Sequence, residues 1–211
     1  MKKLLMTIAA GVLLISCGSE ATKATEVTVD TDSLNTKVKD VVVANFAVDT
    51  IKSVLNWKGS ALAKSHNGTV ALQNGNIEIS EGSIVGGVFT FDMASIICLD
   101  LVEATGKGKL EGHLKARDFF NVDTFTTSKI VIKSVSDNNV TADLTIKDVT
   151  KSITFPATIE VTDVAVNVTA KVIINRTDFG VVYGSGNFFE LAKDKTISDD
   201  IEFDIVVKAT K

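Results

Sequence analysis

The sequence predicts an all-β domain, an antiparallel sandwich or barrel of eight or nine strands, behind a short N-terminal leader. Three observations lead there. Apolar and polar residues alternate with period two along much of the chain after Val41. Helical periodicity is almost absent, and the alternating runs are separated by clusters of turn residues.

The leader comes first. Lys2 and Lys3 precede an apolar run from Leu4 to Ile15, followed by Ser16 and Cys17. As a helix the run would reach about 18 Å, short of the roughly 30 Å of a bilayer core. A positive start, a short apolar stretch and a small residue at the cut site are the parts of a secretory signal. Leu14-Ile15-Ser16-Cys17 resembles the lipobox of bacterial lipoproteins. That resemblance implies a signal peptide over 1–16 and acylation of Cys17, which makes Cys17 the lipid anchor. Gly18 and Ser19 lack the aspartate that retains some lipoproteins in the inner membrane. The expected location is the cell envelope, at the outer membrane.

Residues 17–40 contain no aromatic side chain and are rich in Thr, Asp, Glu and Lys, the composition of a flexible tether. Fully extended, it would reach about 80 Å. The folded domain is expected over 41–211, as one unit with its own core. Loss of Lys2 and Lys3 with the leader takes the formal charge from −4 to −6. An acidic chain with few arginines has no electrostatic footprint for nucleic acid. With Cys17 acylated, Cys98 has no intramolecular disulfide partner, and its apolar setting in "SIICLD" reads as a buried, inert thiol.

Within the domain, "GGVFTFDM" places Phe89, Phe91 and Met93 on one face. "NVTADLTIK" alternates through Val140, Ala142, Leu144 and Ile146. "VAVNVTAKVII" carries Val164, Val166, Val168, Ala170, Val172 and Ile174 on one face, and "IEFDIVVK" carries Ile201, Phe203, Ile205 and Val207. Turn clusters at 73–76 (QNGN), 80–83 (SEGS) and 136–139 (SDNN) are expected to break the strands. Between Met93 and Ile130 the chain is too long for a hairpin loop. Leu110 and Leu114 stand at helical spacing, which predicts a short helix near 108–116, and Asp118 is placed to cap a second turn bearing Phe119 and Phe120.

At that insertion the chain resembles a known family. "LEGHLKARDFFNVDTF" is similar to the GHL-x-S-x-DFF-D stretch of YceI-like lipid-binding proteins. Four more blocks follow the family's pattern: "SVLNWKGSALAKSHNGTV", "GGVFTFDMASI", "ADLTIKDVTKSITFP" and "NRTDFGV". Three positions depart from it: Thr126 replaces a proline, Ile130 a phenylalanine and Asp148 a hairpin glycine. The resemblance covers about Phe46 to Thr210. It implies a lipocalin-like antiparallel β-barrel of about eight strands with a short helical insertion. The lumen of such a barrel would hold an isoprenoid tail, of a quinone or a polyprenyl lipid. From the residues alone, an eight-stranded barrel either fills its interior with side chains or holds one small ligand. Two functions therefore stand side by side: a non-catalytic isoprenoid carrier, and a filled-barrel module for surface or assembly interactions.

For the carrier, the lumen candidates are Phe89, Phe91, Met93, Val166, Val168, Ala170 and Val172, and the mouth candidates are His66, His113, Arg117, Phe119 and Phe120. His113 and Arg117 are four apart and would share one helix face. Arg176 and Asp178 read as a structural ion pair at a barrel end. The chain lacks G-x-S-x-G, H-E-x-x-H and any phosphate-cradling glycine loop, so no enzyme is expected. Its two histidines, far apart in sequence, predict no metal centre, and no cofactor is called for. The expected partners are an isoprenoid lipid and the membrane through Cys17, with a homodimer left open.

Overall fold

The computed structural model describes residues 42–62, 64–190, 192 and 195–211. Cys17, the leader and the tether lie outside the described residues.

Nine strands and one α-helix are formed among the described residues. They are β1 (Ala44–Val48), β2 (Val54–Ala61), β3 (Lys64–Ser80), β4 (Ser83–Cys98), α1 (Lys107–Lys115), β5 (Thr127–Ser136), β6 (Asn139–Ile146), β7 (Val149–Val161), β8 (Ala165–Asn175) and β9 (Ile197–Thr210). Short 3-10 turns occupy Glu103–Thr105 and Arg176–Phe179. All pairings are antiparallel, in the order β3-β2-β9-β8-β7-β6-β5-β4, and β4 pairs back onto β3 to close a barrel. β1 pairs with the far end of β3 (Ala44↔Ile79) and with the end of β9 (Val48↔Ala209). β2 pairs with the opposite ends of the same two strands. One barrel position is thus shared by two short strands, which makes nine strands and eight staves.

The alternation expected from the sequence sets the inward face. Val140, Ala142, Leu144 and Ile146 are all buried, as are Phe89, Phe91 and Met93. The segment at 73–76 departs from expectation. It does not break the chain, but lies inside the seventeen-residue β3, where the register shifts between Leu72 and Asn74. A bulge there bends and twists a long strand around the barrel without ending it. Gly75 pairs with Phe89 just past this bulge, and a Cβ on it would press on Phe89 and Val48 at 3.1 Å. The clusters at 80–83 and 136–139 do form hairpins, with positive φ at Glu81 and Gly82 and at Asp137 and Asn138. Lys147 and Asp148 turn the β6–β7 hairpin in the same way, at φ 50° and 61°. Positive φ at both central residues is the type I′ geometry that matches strand twist.

The two ends of the barrel differ. At one end Phe46, Val48, Ile77, Ile79, Val166 and Ala209 pack a solid floor. The other carries α1, the Arg176–Phe179 turn and the β2–β3 and β6–β7 connections. The helix is short and contains Gly108 and Gly112, so it has little stability of its own. Its place is fixed by Leu114 against the core and by Glu111, whose Oε1 accepts the Cys98 N–H at 2.7 Å. Residues 117–120 form tight turns rather than a helix. Lys147 ties this region together, with its Nζ donating to the carbonyls of Phe119 at 2.9 Å and Gly180 at 3.3 Å.

Candidate functional site

A cavity of about 270 Å³ lies in the helix-end half of the barrel. Its walls come from Leu55 and Trp57 of β2, Phe91, Met93 and Ile96 of β4, Ile130 of β5, Leu144 of β6, Phe155 of β7, Val172 and Ile174 of β8, and Ile201, Phe203 and Ile205 of β9. Leu110, His113 and Leu114 of α1, with Phe119 and Phe120, cover it. Every strand but β1 contributes, mostly from the apolar face of its alternation, so the lining is almost wholly hydrocarbon and aromatic.

The few polar groups in the lining are largely committed. Arg176, 1% exposed, donates from Nε to the Ser198 carbonyl at 2.9 Å and from Nη1 to the Val181 carbonyl at 2.6 Å. Its Nη2 meets the Ile197 carbonyl at 3.2 Å and the Asp199 carboxylate at 3.3 Å. The ion pair expected with Asp178 is made with Asp199 instead, because Asp178 is exposed on the 3-10 turn while Asp199 lies on neighbouring β9. Burial pushes the Arg176 guanidinium down from its usual value and Asp199 opposes that. Asp199 also accepts from Ser185 Oγ at 2.9 Å and from Asn187 Nδ2 at 2.7 Å. This network braces the turn that presents Phe188 and Phe189 to solvent, 57% and 48% exposed.

Two ring nitrogens in the lining side chains are buried without a hydrogen-bond partner, Trp57 Nε1 and His113 Nε2. Leaving such a group unpaired costs about 1–3 kcal/mol. The His113 ring sits edge-on between Phe119 and Tyr183, with centroids 5.7 and 4.5 Å away. Lys64, at the rim, is exposed.

The YceI-like domain profile matches residues 46–209. The chain belongs to the YceI-like family. A UPF0312 protein of Staphylococcus aureus is 35% identical over 107 residues, 45% of this chain and 61% of its own length. The chain therefore spans less than two thirds of that relative. Among solved structures, Burkholderia cenocepacia BcnA superposes with a TM-score of 0.61 at 20% identity, covering 77% of this chain and 99% of its own. A polyisoprenoid binding domain from Saccharophagus degradans, implicated in plant cell wall breakdown, gives 0.57 at 16% identity, covering 78% and 97%. At these identities the likeness is one of fold.

In this YceI-like barrel, Phe91, Met93, Val172, His66, His113, Phe119 and Phe120 line the cavity. Phe89, Val166, Val168 and Ala170 are absent from its lining and lie toward the floor, where Phe89 abuts Gly75 and Val166 is fully buried. Arg117 is exposed beyond the end of α1, so it does not share a helix face with His113. Sequence reading missed Trp57 and the β9 side chains as lining residues. The alternation of Ile201, Phe203 and Ile205 was visible, but nothing in it indicated which half of the barrel stays open.

His66 has company that the sequence did not suggest. Its Nδ1 lies 2.8 Å from Asp100 Oδ2, and Asp100 Oδ1 accepts the Asn67 N–H at 2.8 Å and the Cys98 thiol at 3.2 Å. Burial would raise the Asp100 carboxyl, but the bonds from Asn67, His66 and Cys98 outweigh it and hold the group at about 2. Burial and the same carboxylate push the Cys98 thiol up. A raised, fully buried thiol that donates to a carboxylate is a poor nucleophile.

Proposed function

We propose that this protein binds one isoprenoid lipid, holding its tail in the cavity, and stores or carries it without chemical change. The observation that carries the reading is an apolar cavity closed by a packed floor and lined by a guanidinium whose bonds are already made. The polyisoprenoid binding domain of like fold from Saccharophagus degradans supports the same ligand class. Each buried CH₂ contributes about 0.8 kcal/mol, so a five-carbon unit contributes roughly 4 kcal/mol. Two or three units offset the cost of association and reach about micromolar binding.

The head group is neutral in this reading, a quinone rather than a prenyl diphosphate. A diphosphate would need cations inside the cavity, where Arg176 is spent on carbonyls and Asp199, and burying an unpaired charge costs many kcal/mol. A carbonyl oxygen suits the unpaired Trp57 and His113 nitrogens. The filled-barrel alternative is disfavoured by the cavity itself.

Lipidation at Cys17 would hold the domain at a membrane of the cell envelope, the outer membrane in this reading, with lipid entering at the helix end. Exposed Leu62, Tyr183, Phe188 and Phe189 stand at that end and suit an apolar boundary. Solvent extraction of the purified protein tests the carrier reading. A stoichiometric neutral isoprenoid supports it, and a lipid-free protein that takes up none on incubation returns the interaction module.

A further inference from the structure

The start of β3 and the end of β4 bring together three donor side chains that the lipid reading does not use. His66 Nδ1, Cys98 Sγ and an Asp100 oxygen all lie within 4.8 Å of one another. Gly68 pairs with Cys98 across the two strands, and the Leu99 N–H donates to the Asn67 carbonyl at 2.9 Å, so the backbone that carries the donors is fixed. Cys98 is wholly buried, while the His66 and Asp100 side chains are 30% and 27% exposed. An ion arriving from solvent would meet the nitrogen and oxygen first and find the sulfur beneath.

We propose that His66, Cys98 and Asp100 form a site for one zinc-like divalent ion, with water as the fourth ligand. The donor set decides the class of ion. One imidazole, one thiolate and one carboxylate suit a borderline-soft metal, whereas magnesium and calcium select oxygen donors. Zinc bonds of about 2.0–2.3 Å set tetrahedral donors roughly 3.3–3.8 Å apart. The 2.8 Å His66–Asp100 contact and the 3.2 Å Cys98–Asp100 contact would therefore each open slightly, a side-chain adjustment. On binding, the thiol proton is released to solvent and His66 offers the Nδ1 lone pair, its proton on Nε2. The Asn67 N–H on Asp100 and Glu111 Oε1 on the Cys98 N–H pre-orient the donors. Because His66 also lines the cavity, the ion would sit at the cavity's edge.

The test uses the full chain in detergent with Cys17→Ser, so that Cys98 is the only thiol, titrated with Co²⁺ alone and then with Zn²⁺. One equivalent of Co²⁺ should give a sulfur-to-cobalt charge-transfer band in the near ultraviolet, abolished by Zn²⁺ in competition. Cys98→Ser should remove the band, and Asp100→Asn and His66→Gln should each weaken Co²⁺ at least tenfold. Absence of the band, its survival in Cys98→Ser, or saturation only at millimolar Co²⁺ would overturn the site. If Cys98→Ser does not fold, His66→Gln at the partly exposed rim decides, and unchanged affinity there overturns the proposal. Lipid retention is read separately, so either reading can fail alone.

Discussion

Trp57 and Gly68 face each other across β2 and β3, and the indole lies against the bare Cα of the glycine. A Cβ on Gly68 would stand 2.6 Å from Trp57 Cζ2 and run into the Ile97 carbonyl. The cavity wall at this point exists because one partner has no side chain. Gly68→Ala should therefore cost about 1–3 kcal/mol, the range for overpacking, and lower the melting temperature by several degrees. An unchanged melting temperature would mean that the indole does not lie over Gly68.

Asp148 adopts φ 61° in the β6–β7 hairpin, where a non-glycine residue is strained. Asp148→Gly should raise stability by about 0.5–1 kcal/mol, read as a higher urea midpoint with an unchanged slope. A lower midpoint would show that the turn is not type I′.

How much of this was legible in the sequence depends on the distance over which residues act. The inward face of β6 follows from alternation at Val140, Ala142, Leu144 and Ile146, and α1 follows from Leu110 and Leu114. Depth along the barrel does not. Phe89 and Phe91 share a face, yet the first packs toward the floor and the second lines the cavity. Period two reports which side a residue takes, not how high it stands. QNGN carries turn residues, but pairing on both sides overrides them and leaves a bulge. The partners of His66 and Arg176 are 34 and 23 residues distant, brought close only by the pairing of the strands that carry or flank them.

The same distinction of depth separates two substitutions on one strand face. Val172→Phe adds volume to the cavity and should reduce bound lipid at least tenfold with little loss of stability. Ala170→Phe adds volume toward the packed floor and should cost about 1–3 kcal/mol while leaving lipid affinity in the folded fraction unchanged. Thermal unfolding and extracted lipid measured on one preparation of each distinguish them. Equal stability loss at both sites would mean that the cavity does not accept volume.

Asp100 makes stability depend on pH with a definite sign. Its carboxyl is lowered from 3.8 to about 2 in the folded state, so the stabilisation is present above about pH 4 and is lost as pH falls through about 2. Asp100→Asn should therefore unfold at lower urea than the wild type at pH 6, with the gap closing toward pH 2. A gap that is constant with pH would show that the charge on Asp100 contributes nothing.

Phe188 and Phe189 should matter for exchange rather than for holding. Phe188→Ser with Phe189→Ser is expected to slow lipid transfer to and from vesicles severalfold at unchanged melting temperature and unchanged equilibrium binding. Transfer at the wild-type rate would remove that end as the point of lipid entry.

Trp57 reports directly on whether the cavity takes a neutral isoprenoid, being the chain's single tryptophan and part of the lining. Titration of the delipidated protein with a quinone bearing two isoprene units should quench Trp57 fluorescence saturably, at one equivalent and about micromolar affinity. The same tail on a diphosphate should bind at least tenfold more weakly. Quenching that never saturates, or a diphosphate that binds as tightly as the quinone, would show that the cavity does not select a neutral isoprenoid.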